Sequence, residues 1–110
     1  GGYEIAQPNG SMARAMREAD LVVTGQGRTV LEAAAAGTPC LSIAANERES
    51  RHVKIPGVVY LGLHSTVDST TLLHAVNETM ASHSLRVEMA ETARATADWA
   101  LHAAARALAA

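Results

Sequence analysis

Phenylalanine is absent, tryptophan occurs once and tyrosine twice, so aromatic residues make up 3% of the 110. Any core must therefore come from Ala, Val, Leu, Ile and Met. Cysteine occurs once, at Cys40, which excludes an internal disulfide and fits a reducing, cytoplasmic setting. Neither sign of charge dominates: 9 Lys and Arg face 11 Asp and Glu, for a net charge of -2. Without a basic patch to neutralise phosphates, the sequence argues against a nucleic-acid partner. No apolar run is long enough to span a bilayer, and no segment reads as a leader peptide. The histidines (His52, His64, His74, His83 and His102) lack the spacing of a helical metal site with a third ligand nearby. They read as solvent-facing or capping residues, and neither a metal nor a cofactor is expected. What remains is 48% hydrophobic and 18% charged, the balance of a soluble globular chain. The length fits one domain over residues 1–110, able to bury roughly two-thirds of its unfolded surface.

Short apolar runs alternate with helical stretches. Tyr3–Ala6 is a weak strand candidate, followed by a turn at Pro8-Asn9-Gly10. Ser11 is placed to cap a helix through Met12 and Met16 to about Ala19. Leu21–Thr24, rich in β-branched residues between Asp20 and Gly25, predicts a buried strand. An alanine-rich helix is expected from about Thr29 to Ala36, with Gly37 as its C-terminal cap and Pro39 blocking continuation. Cys40–Ala44 and Val58–Gly62 predict two further strands, separated by a charged loop or helix start at Asn46–Arg51 and a Pro56-Gly57 turn. Asp68 can cap a helix carrying Leu72, Leu73, Val76 and Met80, broken at His83-Ser84. A long final helix runs from about Leu85 to Leu108, with Met89, Ala93, Ala97 and Leu101 along one side. Its alanines read as close helix packing or a dimer seam. Strands alternating with helices predict an α/β, Rossmann-like three-layer sandwich with a short parallel sheet of about four strands, covered on both faces, and C-terminal helices.

The stretch that carries chemistry is the strand, Gly25-Gln26-Gly27-Arg28-Thr29, then helix. In a parallel sheet, ligands bind beyond the carboxyl ends of the strands. Glycines there admit a ligand to the backbone, and the following helix offers free N–H groups and partial positive charge to a phosphate. Arg28 and Thr29 add charged and hydroxyl donors, and Glu32 lies about one turn on, within reach of a ribose hydroxyl. The plainer alternative is a tight turn made by Gly25 and Gly27, with Thr29 as an ordinary cap. Cys40 opens a buried strand and reads as a small core residue rather than a nucleophile.

From Ala19 to Pro39 the sequence ADLVVTGQGRTVLEAAAAGTP resembles the nucleotide-sugar-binding half of GT-B enzymes. The likeness is greatest to the UDP-sugar hydrolase of the pseudaminic acid pathway and its spore-coat-polysaccharide relatives. It is more distant to the peptidoglycan N-acetylglucosaminyltransferase. These families share an Ala-Asp-Leu start, a small strand end, a Gly-Gly-Ser/Thr-like loop, a Glu on the next helix and a small-Gly-x-Pro exit. Met12 and Met16 match the approach helix, Ala45–Arg48 an Asn-Gln element near the donor sugar, Val58–Gly62 the next strand, and Leu85–Ala90 the start of the last helices. The resemblance implies that Gly25, Gly27 and Thr29 face a diphosphate and Glu32 the ribose. Asn46 and Arg48 would lie near the sugar, with the backbone around Ser11 and Met12 at the uracil edge. The departures are Gln26 between the glycines, Arg28 in place of a small residue, Arg48 where Gln is usual, and Ala97–Ala100 in place of an Asp-Gly-rich turn, so the last helix should run on. Arg28 either pairs with a phosphate or fills the site.

The resemblance also implies a missing N-terminal domain that supplies the acceptor site and catalytic base. No catalytic residue is therefore expected in this partial GT-B C-terminal domain. The other expectation is a non-catalytic accessory or oligomerisation domain of a sugar-activating enzyme, such as an acylneuraminate cytidylyltransferase-like protein. An incomplete sheet leaves an edge open to pairing, which predicts a homodimer.

Overall fold

A computed structural model describes residues 10–109. The strand candidate Tyr3–Ala6 and the start of the Pro8-Asn9-Gly10 turn lie outside that range. Helix α1 (Gly10–Glu18) leads to β1 (Val22–Gly25), α2 (Arg28–Ala36), β2 (Cys40–Ala44), the short α3 (Glu47–Ser50) and β3 (Val59–Leu63). A 3-10 turn at His64–Thr66 precedes α4 (Ser69–Met80) and α5 (His83–Ala109). The described strands form one parallel sheet in the order β1-β2-β3, three strands where the sequence suggests about four. The α/β, Rossmann-like architecture is as expected.

Local chemistry sets most boundaries. Gly37 closes α2 in the left-handed conformation, φ 73°, and returns its N–H to the helix's last carbonyls. Asp68 caps α4 by accepting from the Thr71 N–H at 2.8 Å. Ser11 is not a cap, because α1 already begins at Gly10. Thr29 is not one either, because Gly27 occupies the cap position of α2. The break between α4 and α5 falls at Ala81-Ser82, just ahead of the predicted His83-Ser84. Helix α5 runs unbroken through Ala97–Ala100, as predicted.

The alanine run of α2 is explained by what surrounds it. Ala33 packs with Met16 and Cys40, flanked by Val22, Ala36 and Val58. Ala34, one position on, packs instead with Ala93 and Ala97 of α5, flanked by Ile55 and Val58. So α2 lies between the sheet and α5, and small side chains let those layers come close. Val58 touches both clusters and joins them. Burial of the sheet is uneven. Strand β2 is buried along most of its length. Strand β1 is not the buried strand its composition predicts: it is an edge of the described sheet, and Val23 is 46% exposed. Beyond Ser42, β3 shifts register by one residue, so that Ile43 pairs with Gly62.

Candidate functional site

Because the strands are parallel, the exits of β1 and β2 lie on the same edge of the sheet, with Gly25 paired to Ile43. The candidate residues from Gly25 to Glu32 and Asn46 to Arg48 sit at the end of β1 or on the loops and helices that follow β1 and β2. Gly25 ends β1, Gly27 is the cap residue of α2, and Arg28 and Thr29 form its first turn. Glu32 is exposed one turn further on. Asn46 caps α3 and Arg48 is exposed on it. Asn46 is already committed, since its Oδ1 accepts from the Glu49 N–H at 2.9 Å.

Gln26 organises this edge, a role its sequence position does not reveal. Its side chain is buried, 2% exposed. Its N–H donates to the Ile43 carbonyl at 3.1 Å, extending the β1–β2 ladder. Its Oε1 accepts from the Ser42 hydroxyl at 2.6 Å, and its Nε2 donates to the Val53 carbonyl at 3.3 Å. Its own carbonyl accepts from His52 Nδ1 at 3.0 Å. Gln26 thus lies beneath the turn, fastening β1, β2 and the loop after α3, instead of standing in the mouth of a site.

Glu49, which the sequence reads as part of the charged helix start at Asn46–Arg51, stands beside the glycines. Its Oε1 accepts from the Ala45 N–H at 3.0 Å, just ahead of the Asn46 cap that accepts its own N–H. The same oxygen lies 3.3 Å from where a Cβ on Gly25 would stand. A carboxylate so placed repels an anion at Gly25 itself. Gly27 differs, with nothing within 4 Å of its Cβ position. Gly27 has no side chain to cap α2; its carbonyl accepts from the Val30 N–H at 3.2 Å, and the Arg28 and Thr29 N–H groups receive no side-chain cap. Arg28 is exposed beside them and forms no ion pair among the described residues. The positive end of the edge is therefore Gly27, Arg28 and Thr29, and Gly25 lies on its acidic side.

Other chemistry is limited. Cys40 is 1% exposed, and burial pushes its thiol up to about 12, which makes it a core residue and not a nucleophile. Among the described residues no three His, Cys, Asp or Glu side chains group as metal ligands, and no helix is long and apolar enough to cross a membrane. A shallow groove of about 200 Å³ between Asp20, Pro39, Gly37 and Arg86 lies at the opposite edge of the sheet, where the strands begin. Arg86 lines it, but its guanidinium donates to the carbonyls of Thr79 and Met80, closing the end of α4.

A relative combines polysaccharide chemistry with a similar sequence. The chain is similar to the spore coat polysaccharide biosynthesis protein SpsG of Bacillus subtilis (strain 168). The two are 27% identical over 100 residues. That alignment takes in 87% of this chain and spans 30% of the length of the relative. No family model matches the chain, and no solved structure matches it with significance.

Proposed function

We propose that this chain is the nucleotide-sugar-binding part of a polysaccharide-biosynthesis enzyme, taking a UDP-type ligand of the kind GT-B-like transferases and UDP-sugar hydrolases use. The observation that carries the reading is the uncapped first turn of α2. No side chain caps the Arg28 and Thr29 N–H groups, the space where a Gly27 side chain would stand is open, and Arg28 stands beside it without an ion-pair partner among the described residues. A diphosphate seated there meets backbone donors, a helix dipole and a guanidinium together. Glu32, one turn on, lies toward a ribose, and Asn46 and Arg48 across the edge lie toward the sugar. The similarity to a spore coat polysaccharide biosynthesis protein supports a place in polysaccharide synthesis. We propose that its sugars are nonulosonic (sialic-acid-like). This chain supplies binding. The catalytic base and acceptor site belong to a separate N-terminal domain, and the working assembly is a cytoplasmic homodimer.

Titration of the full chain with UDP, CMP and UDP-N-acetylglucosamine, followed by amide NMR, tests the reading. The amides of Gly27 to Val30 should shift with UDP compounds and less with CMP. Millimolar nucleotide that moves none of them overturns it. A second reading has one specific observation in its favour, the Glu49 carboxylate facing Gly25. On that reading the chain is an accessory or oligomerisation domain of a sugar-activating enzyme, as in acylneuraminate cytidylyltransferase-like proteins. It predicts no nucleotide response and a dimer in light scattering.

A further inference from the structure

We propose that the outer side of α5 pairs with the same side of a second copy of this chain, antiparallel and about a two-fold axis at the level of Ala97. The inference gives the homodimer of the reading above its surface, and rests on that reading only for the number of copies. Helix α5 has two unlike sides. On the inner one Met89, Ala93 and Ala97 are buried, the two alanines against Ala34 of α2. Those alanines therefore serve close packing within the chain and are not themselves a seam between copies. On the other side Glu88, Thr92, Ala95, Trp99, His102 and Arg106 are all exposed. Trp99, the only tryptophan, is 68% exposed there. An indole carries a large apolar area, and tryptophan is enriched among the residues that anchor protein interfaces.

The order of residues along that stripe points to the occupant. Its steps alternate four and three residues, a 3.5 repeat that keeps one seam facing a neighbouring helix over about 27 Å. Reversed on itself, the stripe is self-complementary. Glu88 meets the partner's Arg106, Thr92 the partner's His102 and Ala95 the partner's Trp99, and each contact recurs by symmetry.

Each of these pairs fits chemically. The outer pairs join opposite charges, and neither Glu88 nor Arg106 forms an ion pair with another described residue of its own chain. The central pairs set the largest side chain of the stripe against the smallest, so each indole covers the partner's alanine. Between them, His102 Nδ1 donates to the Asp98 carbonyl at 2.8 Å, which leaves Nε2 to accept from a threonine hydroxyl. A parallel pair in register would instead set glutamate on glutamate and arginine on arginine.

The test is analytical ultracentrifugation of the full chain. Wild type should be a dimer that dissociates on dilution, with Trp99 emission moving to longer wavelength as the indole returns to water. Trp99→Ala should raise the dissociation constant at least about 30-fold. Glu88→Arg and Arg106→Glu should each raise it about 10-fold, because both outer pairs then join like charges. Mixing these two charge variants is the decisive arm. One chain then carries two arginines and the other two glutamates, so opposite charges return at both ends and affinity should recover close to wild type. A variant that had merely misfolded would not recover. Weakening by each variant without recovery in the mixture overturns the antiparallel pairing. A dimer that none of the variants weakens overturns the α5 seam and leaves a homodimer built elsewhere. A wild-type monomer at high concentration overturns both the seam and the homodimer, while nucleotide binding is decided separately by the amide titration.

Discussion

Gly57 shows what a single residue can decide here. It sits at φ +93°, and a Cβ added to it would lie 2.5 Å from the Ala93 nitrogen and 2.6 Å from the Met89 carbonyl oxygen. Both are backbone atoms of α5 and cannot swing aside. Gly57→Ala combines a left-handed conformation with a clash, and should destabilise the fold by about 3 kcal/mol or more. Urea unfolding measures this directly, and a loss under about 1 kcal/mol would mean that the loop and α5 do not meet so closely. The Pro56-Gly57 pair is legible in the sequence as a turn, whereas its contact with α5 is not, because the partner lies more than thirty positions away. Gln26 follows the same rule. Its place between two glycines marks a departure from the resembling families. The reason for it, bonds to Ser42 and Val53, exists only once β2 and the following loop have folded around it. Gly37 is the opposite case: a glycine after an alanine run and before Pro39 specifies its own left-handed cap.

At the scale of elements, legibility follows how local the cause is. The Asp68 cap needs only its own residue and the N–H three positions on, and the sequence shows it plainly. The placement of β1 does not work this way. Val22-Val23-Thr24 has the composition of a buried strand, yet edge or centre is decided by strand order, which no window of residues contains. The candidate site was readable to the same extent. Motif positions around Gly25–Glu32 fall on one edge, whereas the charged start at Asn46–Arg51 does not show that its Glu49 carboxylate moves the positive end toward Gly27. The α4 cap also yields a pH prediction. Hydrogen bonds from Thr71 hold the Asp68 carboxyl below its ordinary value in the folded state. The unfolded chain therefore takes up this proton first as the pH falls. The contribution is present above the ordinary aspartate range and is lost as the pH drops through the lower folded value. Asp68→Asn keeps a capping oxygen but has no such titration. Its melting temperature should fall less steeply with acid below about pH 4 than that of wild type. Parallel acid limbs for the two proteins would show that the cap is not made in solution.

The whole molecule is longer than a compact chain of its size. Its radius of gyration is 14.2 Å and its extents are 48 × 30 × 28 Å, against about 13 Å expected from length alone. Helix α5 accounts for the difference: its 27 residues span about 40 Å at a helical rise. Its inner stretch packs Ala93 and Ala97 on α2, and beyond them Trp99 is 68% exposed. With no Phe and so much alanine, stability rests on two small clusters that share α2 and Val58. Neither is large enough to hold the fold alone, so they should open together, and Cys40 can report on that. It lies in the cluster between α2 and the sheet, its thiol pushed to about 12 by burial. In the native state it offers neither access nor thiolate, so a thiol reagent must wait for opening. If the clusters form one cooperative unit, the logarithm of the labelling rate should rise with urea in step with the equilibrium unfolding slope. The cluster between α2 and α5 would then lose its protection at the same free energy, as amide exchange at Ala93 and Ala97 would show. Labelling that ignores urea, while those amides stay protected, would mean that β2 and α1 separate from α2 on their own. The same thiol gives an alkaline check. Its folded value is raised, so its contribution is intact below the ordinary cysteine range and declines as the pH climbs from about 9 toward 12. Cys40→Ala should remove that part of the decline, and an unchanged alkaline limb would mean that the thiol is not desolvated by the α2 layer at all.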